Sequence, residues 1–228
     1  MQIRGHAFVL RAALAALLVV SGVAGCSSWS KEKKGAVIGA ASGGAVGAVI
    51  GNATGSTARG AIIGAVVGGA AGAVIGHRMD KQARELEQNI PGAVVRRVGE
   101  GIEVTFESGL LFDFNSDQIR GDARRNLDEL ARSLDRYPDT DLLIVGHTDA
   151  VGTDSYNMDL SERRAGSAAR YIESQGVRTK VRTVGRGERE PVASNESDYG
   201  RQKNRRVEVA IYASDALRDQ AQREVGSR

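Results

Sequence analysis

The chain has 228 residues, room for one ordinary domain with additional segments; 41% of them are hydrophobic, only 4% are aromatic, and 29 are glycine. The net charge is +3, and no basic stripe interleaved with aromatic residues occurs anywhere, which argues against a nucleic-acid partner. A single cysteine rules out an internal disulfide, and three histidines leave little material for a metal cluster.

Residues 1–25 have the build of a secretory leader: Arg4 and Arg11 precede the apolar run Ala12 to Val20, and small residues continue to Gly25. Its removal leaves 29 basic against 28 acidic residues, so the mature chain is close to neutral. The boundary Val23-Ala24-Gly25-Cys26 resembles the lipobox of bacterial lipoproteins, which implies acylation of Cys26 and a stable membrane attachment, since each buried methylene adds roughly 0.8 kcal/mol. The plainer readings are a cleaved leader with a free thiol, or a catalytic cysteine, although no scaffold would surround a nucleophile at that place. Ser27, the next residue, is compatible by the same resemblance with export to the outer membrane. Residues 26–34 then form a lipidated N-terminus and tether.

Residues 35–51 read GAVIGAASGGAVGAVIG and residues 60–76 read GAIIGAVVGGAAGAVIG, identical at 13 of 17 positions at an offset of 25. Glycine recurs at every fourth position in both, which on a helix draws a smooth stripe that lets two backbones approach closely. In water such a helix is poor, because each glycine costs about 1 kcal/mol relative to alanine. Neither copy carries a charge, and the connector Asn52 to Arg59 is polar. The pattern predicts a glycine-zipper helical hairpin over residues 35–76, associated with the outer membrane or forming homo-oligomers; each limb would span roughly 25 Å, short of the ~30 Å hydrocarbon core. The alternative is a flexible Gly/Ala-rich tether, against which the many Val and Ile residues weigh. The pattern resembles the zipper segments of several outer-membrane lipoproteins.

Residues 77–100 read as a linker helix and lead-in, broken at Pro91-Gly92. Residues 101–213 alternate between strand and helix patterns. Ile102 to Phe106 alternates apolar and polar residues, Ile119, Ala123, Leu127, Leu130 and Leu134 keep helical spacing, and Leu142 to Val145 is the continuous apolar run of a buried strand. A helix follows from about Tyr156 to Gln175, capped at Gly176, and further strands are expected at Lys180 to Val184 and Arg206 to Tyr212. The order β-α-β-α-β-β predicts an α/β fold, an α+β sandwich with helices on a mixed sheet of about four strands, and a C-terminal tail over residues 214–228.

The loop Gly146-His147-Thr148-Asp149 leaves the end of the buried strand, where ligands of open sheets gather, and Asn157, Leu160 and Arg164 share one face of the next helix. Phe112-Asp113-Phe114-Asn115-Ser116, Gly146 to Gly152, Tyr156-Asn157, Leu160-Ser161, Arg164-Ala165, Gly185, Pro191, Asn195, Gly200-Arg201 and Asn204-Arg205-Arg206-Val207-Glu208 together resemble the C-terminal domain of the OmpA family. That domain also occurs in peptidoglycan-associated lipoproteins and in MotB. With the lipobox and zipper, the whole resembles glycine-zipper lipoproteins of the YiaD type. The resemblance implies non-covalent binding of peptidoglycan through diaminopimelate of the stem peptide. Asp149 would take the ligand's ammonium and Arg164 its carboxylate, while Asn115, Asn157 and Arg205 complete the polar lining and Phe112, Val151 and Leu160 lie near the ligand. Val151 departs from the family, where threonine is common, so one hydroxyl contact is in doubt. In the plainer reading Asp149 caps a turn with Gly152 and Arg164 pairs with it inside the protein; His147 is then a hydrogen-bonded structural histidine at the strand end, and Arg201, Lys203 and Arg206 are solvated or paired within the domain.

An enzyme is the weaker expectation, with no cofactor implied. After processing only His77 and His147 remain, neither in a metal-binding array, and no serine stands in a nucleophile-elbow sequence. A second expectation is a membrane-active or oligomerising assembly protein in which the wall-binding domain only localises the zipper.

Overall fold

The computed structural model describes residues 55–227. Cys26, the leader and the first zipper copy lie outside the described residues. Within them, five strands form one sheet: β1 (Val94–Val98), β2 (Gly101–Glu107), β3 (Thr140–Gly146), β4 (Lys180–Gly185) and β5 (Arg206–Ala213), in the order β1-β2-β5-β3-β4. The pairs β1–β2, β2–β5 and β5–β3 are antiparallel and β3–β4 is parallel, so the sheet is mixed as expected. Seven helices accompany it: α1 (Thr57–Gly64), α2 (Gly69–Asn89), α3 (Ser108–Leu111), α4 (Arg124–Arg136), α5 (Asp154–Ser174), α6 (Asp198–Asn204) and α7 (Asp215–Gly226).

Strand β3 reads as one apolar run because both of its faces are covered. Leu142 and Ile144 join Val207, Val209, Ile211, Ile102, Val104 and Phe106 in a core closed by α2, α4, α5 and α7. Leu143 and Val145 point the other way, with Ala210 and Tyr212, and meet Ala58, Ala61, Ile62 and Ala65 on and just after α1. The period-2 alternation of a strand thus feeds two separate apolar layers.

Four expectations need correction. The sheet has a fifth strand, β1, in the stretch read as lead-in; it returns into β2 through Gly99-Glu100, with Gly99 at φ +52°. The helix expected from Ile119 starts at Arg124, because Ile119 forms an isolated bridge with Phe112 instead. The C-terminal stretch is the helix α7, held by buried Leu217 and Ala221. The second zipper copy is not one limb of a helical hairpin. It is divided between α1 and α2, with Gly68 and Gly69 at φ +75° and +61° in the bend, a left-handed region that glycine enters at no steric cost. Helix α2 then runs through the supposed linker and buries Ala71, Ile75, Met79, Ala83 and Leu86 in the main core. No helix among the described residues is long and apolar enough to cross a membrane.

Helix α5 is seated unusually close to the sheet. A Cβ on Gly146 would lie 2.1 Å from Ser161 O, and one on its register partner Gly185 would lie 2.3 Å from Glu162 Cγ. Only glycine admits that approach, which sets the height of α5 over the loop leaving β3.

Candidate functional site

The site lies at the C-terminal end of β3, where residues 147–153 connect to α5. His147 N donates to Arg206 O at 2.9 Å and Thr148 N to Gly187 O at 2.9 Å, so the loop is stitched to the strand on one side and to the turn after β4 on the other. Asp149 follows, 8% exposed. Its Oδ1 accepts from Val151 N at 3.1 Å in a tight turn completed by Gly152 at φ +109°, the conformation in which an aspartate side chain replaces a backbone acceptor. Its Oδ2 accepts from Arg205 Nη1 at 2.5 Å. Ala150 N donates to Asn195 Oδ1 at 3.2 Å, which ties the loop to the segment before α6.

Helix α5 begins with Thr153, whose hydroxyl accepts from Tyr156 N at 3.2 Å and caps the first turn. One face of the helix then presents Asn157, Leu160 and Arg164, all buried. Asn157 Nδ2 donates to Glu188 Oε2 at 2.7 Å. Arg164 is 4% exposed; its Nε donates to Ser116 O at 2.9 Å, and its guanidinium stacks over the buried Phe112 ring, 5.3 Å from the centroid. Among the described residues no carboxylate lies within ion-pair distance of Arg164. Burial pulls its pKa below the ordinary arginine value; Tyr156, Asp117 and Asp149 oppose that shift and Arg205 adds to it. A guanidinium so placed stays charged and keeps donor capacity unspent. The segment before Ser116 brings Asn115, at φ +55°, against the Tyr156 hydroxyl, which donates to its side-chain oxygen.

The arrangement therefore gathers two carboxylates, Asp149 and Glu188, two guanidinium groups, Arg164 and Arg205, and the side-chain amides of Asn115, Asn157 and Asn195 at one strand end. Carboxylate and guanidinium groups so placed can take up an ammonium and a carboxylate respectively through charge-assisted hydrogen bonds.

Comparison with known proteins agrees with the architecture. The family model described as "OmpA family" matches residues 111–205, and "YMGG-like Gly-zipper" matches residues 8–80. The "Peptidoglycan-associated lipoprotein" of Brucella melitensis biotype 1 is 36% identical over 121 residues, covering 53% of this chain and 72% of that protein. The chain belongs to the OmpA family. The "Probable lipoprotein YiaD" of Escherichia coli K12 is 35% identical over 136 residues, 58% of this chain and 62% of that one. The chain spans between about a third and three-fifths of the length of the first curated relatives it matches. Among solved structures, "the cell wall anchor of the T6SS from Pseudomonas aeruginosa" superposes with a TM-score of 0.53 at 31% identity, covering 58% of this chain and 97% of that one.

Within this OmpA-family domain, the site residues expected from sequence converge, with differences in their partners. Asp149 pairs with Arg205 and not with Arg164, so the plainer reading of an internal Asp149–Arg164 bridge fails, while the turn with Gly152 is real. Phe112 and Leu160 are buried beneath the polar groups, whereas Val151 is 64% exposed on the rim. His147 is buried but not hydrogen-bonded: Nε2 stands 3.6 Å from Glu208 Oε2, and neither ring nitrogen has a hydrogen-bond partner. Arg201 pairs with Asp198, Lys203 with Glu107, and the 2% exposed Arg206 with Glu208, so all three are spent inside the domain. Glu188, Asn195 and the Ser116 carbonyl also border the site. Asn195 belonged to a motif that sequence could show, but Glu188 and a backbone carbonyl carry no pattern of their own.

Proposed function

We propose that this protein is an outer-membrane lipoprotein, anchored through Cys26, that binds peptidoglycan from the periplasmic side without cleaving it and so links membrane to wall. The relatives carry the names peptidoglycan-associated lipoprotein and cell wall anchor, and the likeness to them supports the same class of partner here. The ligand group is the zwitterionic end of diaminopimelate in the stem peptide: Asp149 receives its ammonium, Arg164 its carboxylate, and Arg205 both holds Asp149 and offers a second cation. Asn115 and Asn157 line the polar side, and Phe112, Val151 and Leu160 the apolar one.

The observation that carries this reading is the buried Arg164 with no carboxylate partner among the described residues, facing a loop whose carboxylate is already fixed in place. Desolvating a guanidinium without a counter-ion costs free energy that an incoming carboxylate recovers. Charge-assisted hydrogen bonds of this kind contribute about 1.5 to 3 kcal/mol each, so losing one should weaken binding roughly tenfold or more.

The test is sedimentation of the detergent-solubilised full chain with diaminopimelate-type peptidoglycan, with free diaminopimelate as competitor. Asp149→Ala should lose most of the pull-down. Arg164→Lys should lose at least tenfold, since a point charge does not reproduce the two-pronged contact. Unchanged binding in both variants would sink the assignment.

A further inference from the structure

The second zipper copy is fastened to the domain by contacts that the first copy's residues reproduce only in part, Lys34 alone keeping a cation at the place of Arg59. Ser56 Oγ donates to Glu208 Oε2 at 3.1 Å, and Thr57 donates twice to Glu190, from its backbone N to Oε2 at 3.0 Å and from Oγ1 to Oε1 at 2.5 Å. Arg59 forms a two-pronged ion pair with Glu103, Nε to Oε1 at 3.0 Å and Nη2 to Oε2 at 3.1 Å, and Glu103 is only 1% exposed. Ala58, Ala61 and Ile62 are 0%, 0% and 1% exposed against the outer face of the sheet.

The β1–β2 turn grips the other end. Glu100 accepts from Val67 N at 2.9 Å and Gly68 N at 2.8 Å, so its carboxylate caps the start of α2. A Cβ on Gly72 would lie 2.0 Å from Glu100 Oε1. Arg97, on β1, donates to Gly76 O at 3.3 Å and to Asp80 Oδ1 at 2.6 Å. In this copy the glycine stripe gives room to the side chains of a hairpin, not to a second helix.

At the offset of 25 that aligns the copies, Ser56, Thr57, Ala58 and Arg59 correspond to Lys31, Glu32, Lys33 and Lys34. Glu32 would set a second carboxylate against Glu190, and Lys33 would bring an ammonium to the place where Ala58 is fully buried. Glu32 would have to share with Glu190 the single guanidinium of Arg186, which donates to Thr57 Oγ1 at 2.7 Å and already pairs with Glu190 at 3.2 Å, and burying the Lys33 ammonium in the place of Ala58 costs desolvation. The apolar repeat is shared, but the anchoring tetrad is not.

We propose that the two zipper copies divide their labour: residues 56–76 are a dedicated cover of the sheet that stays with the wall-binding domain, and only the chain before Ser56 is left to work at the membrane. The sheet's outer face is thus an interaction surface whose occupant is this chain's own segment from Ala58 to Ala65, while Ala71 and Ile75 of the same copy pack in the core on the opposite face. The membrane half of the statement rests on the lipid-anchored reading above. The reach of the domain from its anchor is then set by residues 27–55, not by a tether extending to Pro91.

The test uses the full lipidated chain, with the anchors untouched, in detergent and in outer-membrane lipid vesicles. A Cβ on Gly99 would stand 3.5 Å from Val66 Cγ2, so Val66→Cys with Gly99→Cys places two thiols in contact if the cover is seated; Gly99 is at φ +52°, so the strain of its replacement is read from the thermal midpoint of Gly99→Cys alone, and the Arg59→Ala midpoint tests the seat without it. Ala41→Cys with Gly99→Cys is the equivalent pair for the first copy, and Gly99→Cys alone is the background. The first pair should be bridged by a short bis-maleimide equally in detergent and in vesicles, and the second should not exceed background. Arg59→Ala should in addition lower the thermal midpoint of the domain by several degrees, because the Glu103 carboxylate loses its counter-ion. Bridging that disappears in vesicles, equal bridging by the Ala41 pair, or an unmoved midpoint would each overturn the proposal. Vesicle flotation reads the anchor separately: a chain that bridges but does not float refutes the lipid attachment and leaves the cover standing.

Discussion

Two buried groups of charges lie side by side at one end of the sheet, and they differ in whether their charges are matched. Beneath α1, Arg206 is paired with Glu208, with Nε to Oε1 at 2.8 Å, and gives a further bond to Glu190 O at 3.1 Å, while Glu190 accepts from Thr57. Every charge there is spent within the fold. In the neighbouring loop, Asp149 has one guanidinium and a second, Arg164, has no carboxylate among the described residues. The first group closes on itself and the second ends on an empty valence. Burial alone therefore does not distinguish the two groups; the unspent charge on Arg164 does, and it is the ground on which that group is proposed as the binding site.

The largest effect should come from opening the closed group. Arg206→Ala leaves the Glu208 carboxylate buried without its cation, and removing one partner of such a pair costs about 3–5 kcal/mol. Urea unfolding should register that loss; a change below about 1 kcal/mol would mean the pair is looser than its geometry.

Acid should work on the same group more gradually. Burial would by itself raise the Glu208 carboxyl, but the Arg206 guanidinium bonded to it, with the His147 ring 3.6 Å away, outweighs burial and holds it at about 2. A carboxyl depressed in the fold contributes stability that is full above its unfolded value of 4.5 and drains away as pH falls toward about 2. Burial likewise lowers His147, with Glu208 opposing, so the unfolded chain takes up that proton first and stability begins to fall below about pH 6.5. The urea midpoint should decline in two overlapping stages, and His147→Asn should remove the upper one. A flat profile from pH 7 to 5 in the wild type would contradict this.

The smallest change in stability should follow substitution in the open group. Arg164→Met replaces the guanidinium stacking on Phe112 with apolar contact and gives up the bond to Ser116 O but leaves no carboxylate orphaned, so stability should fall by no more than about 1 kcal/mol while peptidoglycan sedimentation falls at least tenfold. Stability and binding measured together on Arg164→Met and Arg206→Ala would separate the two groups, and a large stability loss in Arg164→Met would erase the distinction.

Elements with an unambiguous period were legible from sequence. Leu142 to Val145, Arg206 to Tyr212 and the helix after Thr153 stand within a residue or two of their expected places. The strand β1 was hidden because Val94-Val95-Arg96-Arg97-Val98 sets like residues side by side, so alternation is lost; its pairing with β2 supplies what its own pattern lacks. Helix α7 has only two buried anchors in twelve residues, too few to show a periodic face. The second zipper copy misled for a different reason. An apolar stripe fits a lipid phase and a sheet face equally well, and the residues that choose between them, Glu100, Glu103 and Glu190, lie up to 133 positions away. At the site, the residue types and their gathering point were readable, but the pairing of Asp149 with Arg205, 56 positions apart, was not.

Ser56 meets Glu208, which faces Val145 across the β3–β5 ladder, and Asp149 stands only a few residues beyond Val145. Ser56 thus enters the domain at the same pole of the sheet that carries the proposed binding loop. If lipid pulls at one point and wall at the other, the load enters and leaves through that single pole and is carried sideways across Glu208, Arg206 and the loop. The length of the sheet is then spared, and the five strands bear little tension. A tether that instead entered at the far end would draw on the strand ladder lengthwise. Mechanical failure, on this geometry, would start by peeling α1 from its anchors and not by unravelling the core.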